Sequence, residues 1–225
     1  MFRLNDSLFF PNPYNSSRYG PIAVGGDLSV DRLLLAYKSG IFPWYNVDQP
    51  ILWYSPDPRM VLFPDDLIIS KSMKQVLNRG YFKITFDTAF ESVIKACSKI
   101  FRPGQNSTWI THDMLNAYVN LHNSGYAHSV EAWQGDKLVG GLYGVSIGKC
   151  FFGESMFAEV SNASKAAFIT LVNHLKENGF WLIDCQVHTD HLESLGAKLF
   201  PRKSFLDILE KNKTEKSWIG KWALY

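Results

Sequence analysis

The sequence predicts an α+β protein built from two unequal domains, and three observations carry that prediction. Most of its ten prolines fall between Pro11 and Pro64, so the N-terminal stretch is irregular. Beyond about residue 63 the apolar residues follow helical and extended periods in turn. Three extended stretches there are joined only by short turns, which indicates an antiparallel meander and not alternating βαβ units. The chain is read as a small domain over 1–62 and a larger one over 63–225, and 225 residues with 46% hydrophobic content suffice to bury both cores.

Within the small domain a single helix stands out, Ser29 to Ser39, with Ser29 as N-cap, Asp31 in the first turn and Gly40 as its stop. GIFPWY and WYSPDPR hold too many prolines for a ladder or a helix interior and are read as packed loops. The large domain opens with a short basic helix near KSMKQVLNRG. A stronger one follows at FDTAFESVIKACSK, where Thr88 and Glu91 form a capping-box pattern. STWITHDMLNAYVNLHNSG predicts a helix capped by Thr111, with an apolar stripe at Met114, Leu115, Tyr118 and Leu121 and a stop at Gly125. HSVEAW, LVGGLYGVSIG and KCFFGESMF are the meander strands, joined by QGDK and a glycine turn. The amphipathic helix NASKAAFITLVNHLKENG, the strand FWLIDCQV and a short helix at HLESLGAK complete the series, which is compatible with an N-acetyltransferase-like (GNAT-like) topology around one mainly antiparallel sheet.

No run of eighteen apolar residues is present, and MFRLNDSLFF lacks the features of an export signal, so a cytoplasmic protein without membrane contact is expected. Cys97, Cys150 and Cys185 show no CxxC spacing, which argues against a disulfide framework or a zinc knuckle. The net charge of +2 conceals a sorted pattern. Residues 71–102 hold seven bases against two acids, residues 198–225 seven against three, and residues 103–197 only four against nine. Basic flanks around an acidic centre suggest a polyanion held outside and a cationic group handled inside. Solvated helix faces are the bland alternative.

The stretch LIDCQVHTDHLESLGA starts as a buried strand and then sets polar residues where apolar ones should continue. Alternation puts Asp184 and Gln186 on one face and turns Ile183 and Cys185 to the core, with Cys185 as a packed small hydrophobe. Glu154 is a second polar residue in an apolar strand of the same sheet, and burying such groups costs free energy unless they are paired or used. The HTDH run lacks a third ligand at a sensible spacing and reads as a polar helix start, so no metal is expected. An acyl-CoA enzyme of this topology would place a glycine-rich turn before the helix that follows the meander, and EVSNASKAA holds no glycine. An N-acetyltransferase, and a binding module without catalysis, are the two rival readings.

GIFPW, WYSPDPR, STWI, AHSVE, LVGGLYGVSIG, FFGESMF, NASKAA, LIDCQ and HLESLGA, in this order, resemble the leucyl/phenylalanyl-tRNA protein transferases from about Pro21 to Phe205. The resemblance implies a bacterial cytoplasmic aminoacyltransferase acting as a monomer. It would move Leu or Phe, less readily Met, from aminoacyl-tRNA to the α-amine of an N-terminal Arg or Lys, marking the protein for N-end rule degradation. The implied chemistry uses no cofactor, metal, ATP or acyl-CoA, since the ester is already activated. The implied side-chain pocket is lined by Tyr37, Trp44, Trp109, Tyr118, Leu142, Phe151, Met156, Phe168, Leu171 and Ile183. Leu142 stands where the family often has methionine and Leu171 where a larger aromatic is common; both remain apolar. In this reading Gln186 orients the amine, Asp184 serves as base or electrostatic anchor, and Glu154 meets the incoming cationic N-terminus. Lys71, Lys74, Arg79 and Lys83 would hold the tRNA backbone.

Overall fold

A computed structural model describes residues 1–100 and 110–223. The small domain builds a four-stranded sheet from β1 (Phe2–Leu4), β2 (Pro21–Gly25), β3 (Phe42–Pro43) and β4 (Leu52–Tyr54), in the order β1-β2-β4-β3. α1 (Val30–Lys38) lies between β2 and β3 in the chain; the Ser29 hydroxyl accepts from the Arg32 amide at its start, and Gly40 takes φ 71° just past its end. GIFPWY and WYSPDPR, expected as loops, thus each contribute a strand. The prolines permit this because β3 is an edge, where Pro43 gives up no ladder bond to a further strand.

A seven-stranded sheet, ordered β11-β5-β10-β9-β8-β7-β6, forms the large domain. Its members are β5 (Arg59–Leu62), β6 (Lys83–Phe86), β7 (Ala127–Gln134), β8 (Lys137–Ile147), β9 (Cys150–Ala158), β10 (Leu182–Gln186) and β11 (Lys198–Phe200). β7, β8 and β9 are the expected meander, and β10 pairs in parallel with β9. β5 sits between β10 and β11, so Arg59–Leu62, assigned to the small domain on the sequence, are interior strand residues of the large sheet. The short helix expected at HLESLGAK is found as α6 (Asp190–Glu193), whereas β11 and the helix after it have no counterpart among the sequence expectations.

Each sheet face carries its own core. Val61, Phe152, Leu182 and Tyr143 pack with α1, α3 (Phe90–Lys99), α4 (His112–Asn123) and α7 (Arg202–Asn212). Leu62, Phe151, Ile183 and Leu142 pack on the opposite face with α2 (Lys71–Asn78) and α5 (Ala163–Glu177). Phe151 and Phe152 on β9, and Leu182 and Ile183 on β10, are therefore turned to different cores, but the alternation expected to put Asp184 and Gln186 on one face and Cys185 in the core is interrupted by a register shift between Asp184 and Gln186. The capping-box expectation is corrected. Ala89 is the N-cap of α3 and caps nothing with its side chain; its amide donates to Oε1 of Glu131 on β7, and the Thr88 hydroxyl donates to Oε2. Glu91 instead pairs with Lys95 on the helix surface. Among the described residues no helix is long and apolar enough to cross a membrane.

Candidate active site

Two β-bulges on neighbouring strands create the site. Against β8, Gly153 pairs with Gly144 and Ser155 with Tyr143, so Glu154 is the extra residue of β9. Against β5, Asp184 pairs with Val61 and Gln186 with Met60, so Cys185 is the extra residue of β10, and Gln186 takes φ 63°. The parallel pairing of β9 with β10 ends at Phe152 and Asp184. Bulges re-aim side chains and end pairing, and here they turn Glu154 and Gln186 toward each other. Gln186 Nε2 donates to Glu154 Oε1 at 2.7 Å.

Glu154 receives two further donors, the Tyr37 hydroxyl at 2.7 Å on Oε1 and the Tyr118 hydroxyl at 2.8 Å on Oε2. The two phenols are themselves in very close contact. Tyr37 comes from α1 and Tyr118 from α4, both fully buried, so the carboxylate ties the small domain to the large one. Glu154 keeps some exposure toward a cavity, yet the protein encloses it closely enough that burial lifts its pKa to about 7 against the three donors that favour ionisation. The same burial raises both phenols well above their ordinary value and keeps them neutral donors.

Asp184 has a different setting. Arg59 clasps it in a bidentate pair, Nε to Oδ1 at 2.8 Å and a terminal nitrogen to Oδ2 at 2.7 Å, and both side chains are buried. Phe42 and Phe205 flank the guanidinium, with ring centroids 4.6 and 4.8 Å from Cζ. Asp184 Oδ1 also accepts the Gln186 amide at 2.9 Å, which holds Gln186 in its left-handed conformation. Both carboxylate oxygens of Asp184 are thus engaged by Arg59 and the Gln186 amide, and Asp184 is not part of the cavity wall. Arg59 was missed on the sequence, because one arginine in a proline-rich stretch carries no sign that its partner lies 125 positions away.

The cavity beside Glu154 and Gln186 holds about 330 Å³. Of the residues expected to line a side-chain pocket, Trp44, Leu142, Phe151, Met156, Phe168, Leu171 and Ile183 lie in its wall, with Trp44 at 39% exposure. Tyr37 and Tyr118 are not in its wall and act on it through Glu154. Trp109 lies outside the described residues. Phe42, Pro43, Tyr143, Gly153, Ser155, Val187, Thr189, His191 and Leu192 complete the lining, and Cys185 faces the cavity while burial raises its thiol pKa and keeps it unreactive. The family motifs GIFPW, LVGGLYGVSIG and HLESLGA contain Phe42 and Pro43, Tyr143, and His191 and Leu192 respectively, whereas Val187 and Thr189 are exposed and lie in none of them.

The acidic centre is mostly solvated surface. Of its nine acids Glu154 alone lines the cavity, Glu131 caps α3, Asp184 pairs with Arg59, and the other six are exposed. His188, Asp190 and Glu193 bring ligand atoms within 4.8 Å of one another, all exposed. Lys71, Lys74, Arg79 and Lys83 are exposed on α2 and at the edge strand β6. Asn162, in the left-handed region at φ 71°, supplies the turn that opens α5 where no glycine stands.

A family model described as leucyl/phenylalanyl-tRNA protein transferase matches residues 61–210, and its N-terminal domain model matches 26–57. The chain is similar to the leucyl/phenylalanyl-tRNA–protein transferase of Flavobacterium johnsoniae, 54% identical over 93% of this chain and 99% of that one. It is also similar to those of Syntrophobacter fumaroxidans, 53% identical over 98% and 96%, and Myxococcus xanthus, 53% over 95% and 92%. Among solved structures, an aminoglycoside acetyltransferase from a soil metagenome aligns at 15% identity over 65% of this chain and 98% of its own, with a TM-score of 0.38.

Proposed function

The chain belongs to the leucyl/phenylalanyl-tRNA protein transferases, and we propose accordingly that its cavity takes the Leu or Phe side chain of an aminoacyl-tRNA while Gln186 and Glu154 receive the N-terminal amine of an acceptor protein. An apolar wall of this size selects Leu and Phe by shape and rejects polar side chains. The acceptor begins with Arg or Lys, the reaction runs in the cytoplasm where charged tRNA is found, the chain acts as a monomer, and the product is marked for N-end rule degradation.

The neutral α-amine attacks the ester carbonyl carbon, a C–N bond forms, and the C–O bond to the terminal ribose breaks, leaving a ribose hydroxyl and a peptide bond. One proton leaves the amine and one reaches the departing oxygen. Gln186 Nε2 is committed to Glu154, so its carbonyl oxygen is left to accept from the amine. Glu154, with a pKa of about 7, is poised to exchange a proton with an ammonium near neutral pH. Asp184, neutralised by Arg59, fixes the Gln186 main chain. Positioning supplies much of the rate, because an aminoacyl ester is already reactive. Lys71, Lys74, Arg79 and Lys83 meet the tRNA backbone.

The observation that carries this reading is a single perturbed carboxylate, bonded to a glutamine amide, at the wall of an apolar cavity. Its test is transfer of labelled leucine from Leu-tRNA to a peptide beginning with Arg, beside the same peptide beginning with Ala, without added nucleotide. Transfer to the Arg peptide alone is expected. Equal transfer to both removes the acceptor assignment, and a folded sample that transfers to neither removes the catalytic one.

A further inference from the structure

The C-terminal segment, which carries no family motif, stitches three turns of the large domain together. The Ser217 hydroxyl accepts from the Gly148 amide at 2.9 Å in the β8–β9 turn. The Gly220 amide donates to the Gly125 carbonyl at 3.1 Å, at the turn between α4 and β7. The Trp222 amide donates to Asp87 Oδ2 at 2.7 Å, at the corner between β6 and α3. The crossing at Gly125 is tight; a Cβ there would come within 2.5 Å of the Gly220 nitrogen.

This path delivers the Trp222 indole, fully buried, into a nest of six rings. His128 stacks on it at 3.8 Å and 11°, and Trp218, His174, Phe151, Phe180 and Phe86 stand 5.1 to 6.4 Å away between centroids. Asp87 also bonds His128 Nδ1 at 2.9 Å, so one carboxylate orients both the tail and the ring stacked on it. Of the six rings, Phe151 alone also lines the cavity. One side of Phe151 therefore faces the space for the amino-acid side chain, and Trp222 stands behind it.

We propose that Trp222 is a positioning residue for substrate selectivity: by backing Phe151 it sets the depth of the cavity, and so the ratio in which Leu and Phe are transferred. This rests on the reading that the cavity receives the amino-acid side chain. The packed interior transmits the effect, because removing the indole leaves a void into which the Phe151 ring retreats. A deeper cavity gains more contact with the longer Phe ring than with Leu. One added methylene of fit changes discrimination by about tenfold or more, so a shift of a ring position is readily measured.

The experiment compares wild type, Trp222→Ala and Trp222→Phe, with Leu-tRNA and Phe-tRNA as donors and an Arg peptide as acceptor. The expected result is a rise of about fivefold in the Phe:Leu ratio of kcat/KM for Trp222→Ala, carried by KM, and a smaller rise in the same direction for Trp222→Phe. A lower melting temperature alone would follow from any core truncation, but it would reduce both donors alike. An unchanged ratio in folded Trp222→Ala, or in Trp222→Phe if the alanine variant fails to fold, overturns the proposal. Wild type inactive with both donors overturns the underlying reading of the cavity as well, and so is told apart from failure of the Trp222 assignment alone.

Discussion

Glu154 sets the pH behaviour of the site. Its carboxyl is raised from an ordinary 4.5 to about 7 by burial, so the folded chain binds this proton more tightly than the unfolded chain does. The stability that this group contributes is fully present below about 4.5 and is lost as pH rises through about 7. Glu154→Gln keeps the shape and abolishes the titration, so its melting temperature is expected to fall less between pH 5 and pH 8 than that of wild type. If ionised Glu154 holds the acceptor amine, kcat/KM of wild type rises through about pH 7, and a pH–rate series on the Gln variant lacks that limb. Gln186 permits a cleaner separation of chemistry from folding. Its φ of 63° suits glycine, so Gln186→Gly relieves the backbone while removing the side chain. Transfer is expected to drop by about tenfold or more with the urea midpoint little changed. Asp184→Asn should behave in the opposite way. It leaves the Arg59 guanidinium buried without its counter-charge, and a loss of about 3–5 kcal/mol in urea unfolding is expected, as for other broken buried pairs.

Among the elements, the helix α5 governs the cavity through how closely it approaches the sheet. A Cβ on Gly140 of β8 would lie 2.5 Å from the Ala163 Cβ and 3.1 Å from the Ser164 nitrogen, so the helix start rests on bare backbone. α5 carries Phe168 and Leu171 into the cavity wall. Gly140→Ala therefore pushes a wall outward as well as straining the core. A loss of about 1–3 kcal/mol in urea unfolding, with a larger proportional loss of Leu transfer than of folded protein, is the expected outcome. The bulges on β9 and β10 are the other decisive local features. Without the extra residue in each strand, Glu154 and Gln186 would follow simple alternation, and the bond between them would have no reason to form.

For the molecule as a whole, the charge pattern predicts how tRNA is held. Neutralising Lys71, Lys74 and Arg79 together is expected to raise KM for aminoacyl-tRNA several-fold at moderate salt, leave kcat nearly unchanged, and lower the slope of log KM against log salt by about two to three. Unchanged KM would mean that this flank is only solvated surface. Much of this architecture was legible from local signals. The period of the apolar residues located α1, α4, α5 and the β7–β9 meander, Ser29 and Thr111 announced two caps, and the polar break in LIDCQ marked the site, because each of these follows from interactions within a few residues of the chain. The family resemblance extended that reading to seven apolar residues of the cavity wall. What no local signal contains is a partner far away in sequence: Arg59 for Asp184, Glu131 for the start of α3, Asp87 for Trp222. Buried charges and amides must find such partners wherever the folded chain brings them, and the register of two bulged strands selects which carboxylate faces the cavity. Short-range chemistry along the chain was therefore enough to set the fold class and to single out the polar residues at issue, whereas contacts between distant segments paired Asp184 with Arg59 and set Glu154 at the cavity wall.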